Sequence, residues 1–176
     1  LTAALTWARS RPLGAVVAAG IAAAVLAHYG AGPAGIIAAF TAAVLVVLSV
    51  IDIETRRLPN AIVLPSAALV LTARLLTAPD EWATWLGAGL GAFACFFLLA
   101  LVYPAGMGMG DVKLMLLLGF ALGSAVLPAL MLGTLAAALA GALLLARDGR
   151  EARRRSIPFG PFLAFGAIAA TLVLTP

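Results

Sequence analysis

The sequence predicts an all-α membrane protein, a polytopic bundle of about six or seven transmembrane helices forming a single domain over residues 1–176. Three observations lead there. Of the residues, 64% are hydrophobic and 10% charged, with a mean hydropathy of +1.15, whereas a soluble domain is about 45–50% apolar and about 25% charged. A soluble fold of this size would lack polar residues for its surface. The apolar residues come in interrupted runs of about 20, the length a helix needs to cross a bilayer, and not in the period-two alternation of barrel strands. The basic residues fall almost entirely in alternate loops between those runs, the pattern of a multi-pass protein.

In chain order, residues 1–12 form a basic lead with Arg9 and Arg11. Span one covers about Leu13–Tyr29 and ends at Gly30-Ala31-Gly32-Pro33. It reads as a span and not as a cleaved signal peptide, because further spans follow and no small-x-small cleavage site precedes a soluble domain. Span two covers about Ala34–Ile51, followed by a polar island, Asp52 to Asn60. Span three covers about Ala61–Thr77, with Pro65 in its first turns and Arg74 near its end. A short acidic and aromatic turn, 78–82, leads to span four, about Thr84–Tyr103. A second island, Pro104 to Lys113, comes next. The apolar segment beyond it, Leu114–Leu122, is short and bounded by Gly123 and Ser124. Span five is therefore expected to begin inside the membrane near Asp111, lining a polar cavity, since irregular backbone is tolerated at depth only there or against protein. Span six covers about Ala125–Ala146, Arg147 to Arg155 form a basic loop, and span seven covers about Ile157–Leu174.

Seven spans place both islands on one side. That side carries ten of the eleven basic residues, all but Arg74, and the positive-inside rule makes it cytoplasmic. The net charge of +4 is thus a topology signal and no footprint for nucleic acid. The five arginines of 147–155 read as a topology anchor that could also hold anionic lipid. The one cysteine, Cys95, can form neither an internal disulfide nor a CxxC metal site, and is expected to be a small buried apolar side chain. The one histidine, His28, ends span one on the far side and reads as an interfacial residue.

The stretch Gly106-Met-Gly-Met-Gly-Asp-Val-Lys113 places Asp111 behind three alternate glycines and two residues before Lys113. A carboxylate beside a membrane span is costly, and function is the default hypothesis for it. Its partner is Asp52, in the other island on the same side. Two neighbouring carboxylates cannot both ionise easily, so one holds a proton near neutral pH. The ionised one can take a proton from water, and the protonated one can stabilise an oxyanion. Such chemistry needs no metal and no cofactor. No GxSxG or HExxH occurs, the histidine is on the far side, and Cys95 has no base.

Each residue has a plainer reading. Asp52 could be a loop carboxylate paired with Arg56 or Arg57. The glycines at 106, 108 and 110 could serve a turn and close helix packing. Glu54 could be solvated, and Lys113 could snorkel to the headgroups or tune Asp111. Two aspartates on one face of a bundle also suit a small transporter that binds a cation or proton.

Three segments carry a family resemblance. Asp52-Ile-Glu-Thr-Arg-Arg-Leu-Pro-Asn60, continued by Leu64-Pro65, resembles the first motif of the type IV prepilin peptidases. Gly108-Met-Gly-Asp111, followed by Lys113, resembles their GxGD motif, and Ile157-Pro-Phe-Gly-Pro-Phe162 resembles a third recurring segment. The resemblance implies an intramembrane aspartic endopeptidase that removes the basic leader from prepilins or pseudopilins at the cytoplasmic face of the bacterial inner membrane. It implies Asp52 and Asp111 as the catalytic pair, with Gly108, Gly110, Lys113, Leu58 and Pro59 as supporting residues, and no nucleic acid as partner. Many members also carry a domain with two CxxC pairs and methylate the new N-terminus. This chain has one cysteine, so methyl transfer does not carry over. The presenilin type of GxGD protease fits less well: Val50-Ile51 precedes Asp52 where a Tyr-Asp pair is required, and Pro128-Ala129-Leu130 follows Asp111 too closely.

Overall fold

A computed structural model describes residues 11–104, 107–149 and 158–174. These residues form seven α-helices: α1 (Pro12–Tyr29), α2 (Pro33–Thr55), α3 (Asn60–Thr77), α4 (Trp82–Val102), α5 (Met109–Leu122), α6 (Val126–Asp148) and α7 (Gly160–Leu174). Short 3-10 turns, Pro79–Glu81 and Gly123–Ala125, precede α4 and α6. The protein is all-helical. Five helical runs are long and apolar enough to cross a membrane, α5 and α6 counting there as one run of 40 residues; α7 is shorter. Large apolar side chains such as Leu13, Leu76, Leu98, Leu127 and Val173 point outward, an apolar girdle that only a bilayer would cover.

Proline marks the starts. Pro12 and Pro33 open α1 and α2, positions where a missing N–H costs nothing. The helix ends differ from the sequence reading in one consequential place. α2 continues through Asp52 to Thr55, so Asp52 stands on a helix, not in a loop. Arg56 closes it in the left-handed conformation (φ 52°), and its N–H donates to the Asp52 carbonyl at 2.8 Å. That cap conformation usually falls to glycine or asparagine. Arg147 likewise belongs to α6 and not to a loop; Arg150 and 153–155 lie outside the described residues, as do Gly106 and Ile157.

α5 is the centre. Val112, Leu114, Met115, Leu117 and Leu118 are all buried, the mark of a helix apolar on every side. It packs against α3 and α4. The α4–α5 contact is close enough that a Cβ on Gly119 would stand 2.3 Å from the Gly89 Cα, small-residue packing of the membrane kind. The other strong pairs are α1 with α2, α6 with α7, and α2 with α7.

With 14 residues, α5 is about 21 Å long at 1.5 Å per residue, against a hydrocarbon thickness of about 30 Å. As the sequence suggested, α5 is short and begins beside Asp111 at a polar cavity. Asp111 lies in its first turn and shares that cavity with Asp52, about one turn from the end of α2. At the other end, Ala121 and Leu122 share a small cavity of about 140 Å³ with Ala38 and Thr41 of α2, about 8–12 Å inward of Pro33 by helical rise. The open carbonyls of that end need partners. Arg74 supplies one: its Nη2 donates to the Ala121 carbonyl at 2.5 Å, while its guanidinium lies 4.3 Å from the Trp85 ring centre. The Tyr29 hydroxyl donates to the Thr171 carbonyl near the same cavity.

Cys95 corrects another expectation. It is exposed on α4, facing the bilayer and not the protein interior. His28 ends α1 in edge contact with Tyr29, on the side away from Asp52.

Candidate active site

Asp52 and Asp111 come together. Both line one open cavity of about 300 Å³, with Arg56, Arg57, Leu58, Asn60, Gly108, Met109, Gly110 and Lys113. The two carboxylates are near enough to interact electrostatically. Two elements deliver them from distant parts of the sequence: the last turn of α2 and the first turn of α5.

Asp52 is buried, and its Oδ2 accepts a hydrogen bond from the Gly160 N–H at 2.9 Å. It is no loop carboxylate paired with an arginine. The ion pairs among the described residues are Arg11–Glu54 at 2.8 Å and Arg147–Asp148 at 3.9 Å. Glu54 is exposed, as the solvated reading has it, and its ion pair reaches the start of α1.

Asp111 follows Gly108, which caps α5 in extended conformation and accepts the Asp111 N–H at 3.0 Å. A Cβ on Gly108 would sit 3.3 Å from Asp111 Oδ2, and one on Gly110 would sit 2.9 Å from the Leu58 Cβ. Both glycines thus leave space the site needs: Gly108 beside the carboxylate, Gly110 for the loop carrying Leu58. Lys113 donates its Nζ to Asn60 Oδ1 at 3.1 Å, joining the two islands. Pro59 is not among the cavity residues. Its carbonyl accepts from Ile62 and Val63 at 3.0 and 3.1 Å, and it serves to start α3.

Two contributors escaped the sequence reading. Asn60 ends the first motif but gave no sign of meeting Lys113. Gly160 lies in the third segment, which entered only through the family resemblance and gave no sign of a contact with Asp52. No group of three or more histidine, cysteine or acidic residues that could hold a metal ion occurs among the described residues.

Residues 39–146 match the Type IV leader peptidase family, a span that contains both aspartates. A prepilin leader peptidase/N-methyltransferase of Bacillus subtilis is 37% identical over 132 residues, covering 73% of this chain and 52% of that protein. The protein of the same description from Burkholderia pseudomallei is 33% identical over 173 residues, covering 94% of this chain and 55% of its own length. That of Pseudomonas aeruginosa is 35% identical over 136 residues, covering 73% and 46%. The chain spans about half the length of these curated relatives. No solved structure matches it. This multi-pass membrane protein belongs to the Type IV leader peptidase family.

Proposed function

We propose that the protein is an intramembrane aspartic endopeptidase that cleaves the basic leader from type IV prepilin or pseudopilin precursors at the cytoplasmic membrane face. The observation that carries this reading is the meeting of Asp52 and Asp111, from two different helices, in one water-accessible cavity. The ionised member of the pair takes a proton from water. The water oxygen bonds to the scissile carbonyl carbon while the protonated member donates a hydrogen bond to the carbonyl oxygen. As the tetrahedral intermediate collapses, the C–N bond breaks and the departing amine takes a proton from the pair. The five arginines around 147–155 and the basic residues near the cavity support the cytoplasmic placement. The substrate is an apolar helical protein whose basic leader the same rule keeps in the cytoplasm.

The relatives' shared description joins leader peptidase to N-methyltransferase. Only the peptidase half is assigned to these 176 residues, because Cys95 alone supplies no cysteine cluster.

The test is reconstitution of purified protein with candidate pilin-like precursors, read by intact mass. Loss of the leader with wild type, and none with Asp52→Asn, supports the reading. Intact precursors together with ion flux through the reconstituted protein would replace it with the transporter reading.

A further inference from the structure

We propose that the backbone N–H of Gly160 is a positioning donor for the peptidase reaction, holding the Asp52 carboxylate in register with Asp111, and that only glycine can serve there. This inference rests on the peptidase reading above.

Gly160 opens α7, so its N–H is one of the donors a helix leaves without an internal partner. It gives that donor to Asp52 Oδ2 at 2.9 Å, in a buried setting. The second observation is steric. A Cβ on Gly160 would meet Asp52 Oδ2 at 2.8 Å, Cγ at 3.2 Å and Cβ at 3.3 Å. All three nearest atoms belong to the carboxylate residue itself. The other tight glycines differ: a Cβ on Gly89 or Gly119 would strike a neighbouring helix, and one on Gly133 or Gly166 would strike α7 or α6. Those glycines let helices approach. Gly160 lets the backbone approach a reacting group.

A backbone donor suits the task. It carries no charge to titrate and no side chain to swing away. Its mounting is fixed, since α7 packs on α2 and α6 and is tied to α1 through Tyr29 and Thr171. With Oδ2 held, the remaining oxygen of Asp52 is left to serve the attacking water. Displacing a reacting group by about 1 Å can lower turnover about 100-fold, and a Cβ at 2.8 Å forces a displacement of about half that size or more.

The experiment compares three proteins in detergent against wild type with one precursor. Gly160→Ala adds the Cβ. Replacing Gly160 by glycolate, through nonsense suppression, converts the N–H to an ester oxygen and adds no atom beyond the chain. Gly91→Ala, where a Cβ meets open space, is the control. The expected result is a fall in kcat of about 10- to 100-fold for both Gly160 variants, with KM and the folded fraction close to wild type and the control unchanged. Carbon-13 labelling of the four aspartates, with Asp52 assigned by its loss in Asp52→Asn, supplies a readout that needs no turnover. The Asp52 carboxyl signal should move in both Gly160 variants while those of Asp80 and Asp148 stay. Wild-type turnover in both variants, or loss of activity that only follows loss of folded protein with the Asp52 signal unmoved, overturns the proposal. If wild type leaves every precursor intact, the peptidase reading falls and the positioning role with it, while the Asp52 signal still judges the contact.

Discussion

Gly110→Ala is the perturbation whose size the geometry fixes best. The added Cβ would stand 2.9 Å from the Leu58 Cβ and 3.4 Å from the Leu58 nitrogen, whereas carbon atoms settle at about 3.5–4.0 Å. The overlap is therefore about 0.6–1.1 Å against the first contact. Leu58 is buried and its loop is bounded by the Arg56 cap and by Pro59, which starts α3. It cannot simply swing into solvent. The overlap must be shared with the first turn of α5, whose next residue is Asp111. Overpacking of this kind costs about 1–3 kcal/mol, enough to lower the melting temperature without preventing insertion. A shift of Asp111 by about half to one ångström should lower turnover about 10- to 100-fold, or about 1.4–2.7 kcal/mol of barrier. The assay is cleavage of a precursor by purified protein, with melting followed in the same detergent. Gly20→Ala, which meets open space, should be neutral in both. Turnover near wild type in a Gly110→Ala protein that melts lower would show that the Leu58 contact does not control the position of Asp111.

Four other outcomes are expected. Asp52→Asn and Asp111→Asn should each abolish cleavage in folded, inserted protein, and the double variant should be little worse than either, since the pair acts as a unit; near-normal turnover by one of them removes that residue from the mechanism. Lys113→Ala should keep activity within about fivefold, the scale of an exposed charge contact worth at most about 1 kcal/mol; its Nζ bonds Asn60, and a far larger loss in kcat would mean that it acts on Asp111. Arg74→Gln should destabilise the protein by about 2–3 kcal/mol through loss of the charged bond to Ala121 and the contact with Trp85, with kcat per folded molecule unchanged. The pH–rate profile should be bell-shaped, because only the singly protonated pair is active; a rate that climbs steadily from about pH 4 to about pH 9 would exclude a shared proton.

The helices themselves were legible because a membrane leaves few choices: an apolar run of about 20 residues must be a helix. What composition marks, however, is where the hydrocarbon ends, not where the backbone hydrogen bonds end. Hence Asp52 and Glu54 read as loop while α2 runs on to Thr55. Nor could the sequence say which face of α4 looks inward, since its faces are almost equally apolar. Cys95, read as buried, faces out for that reason. The two aspartates were readable as charges that a bilayer makes expensive. Gly160 was not, because it acts through a backbone N–H and through an absent side chain, and neither has a compositional signal. Nor did the sequence show what meets the far end of α5, because the residue that does so, Arg74, lies 47 positions from Ala121.

Two helix starts explain how the bundle can hold two carboxylates near each other. Among the described residues α5 and α7 are the two shortest helices, of 14 and 15 residues; α5 begins at the cavity and α7 begins against Asp52. Asp111 sits in the first turn of α5, and Asp52 accepts the first N–H of α7. Each carboxylate is thus associated with a helix N-terminus, the end that favours negative charge. The cationic side chains near the cavity, Arg56, Arg57 and Lys113, take no ion pair with either aspartate. The other end of α5 lies beside the second cavity, at Ala121 and Leu122, and Arg74 meets it there. This half-buried cation satisfies one carbonyl at the C-terminal end of α5, the end that favours positive charge. The first turn of α5 thus builds the site, and Arg74 stabilises the far end of the same helix.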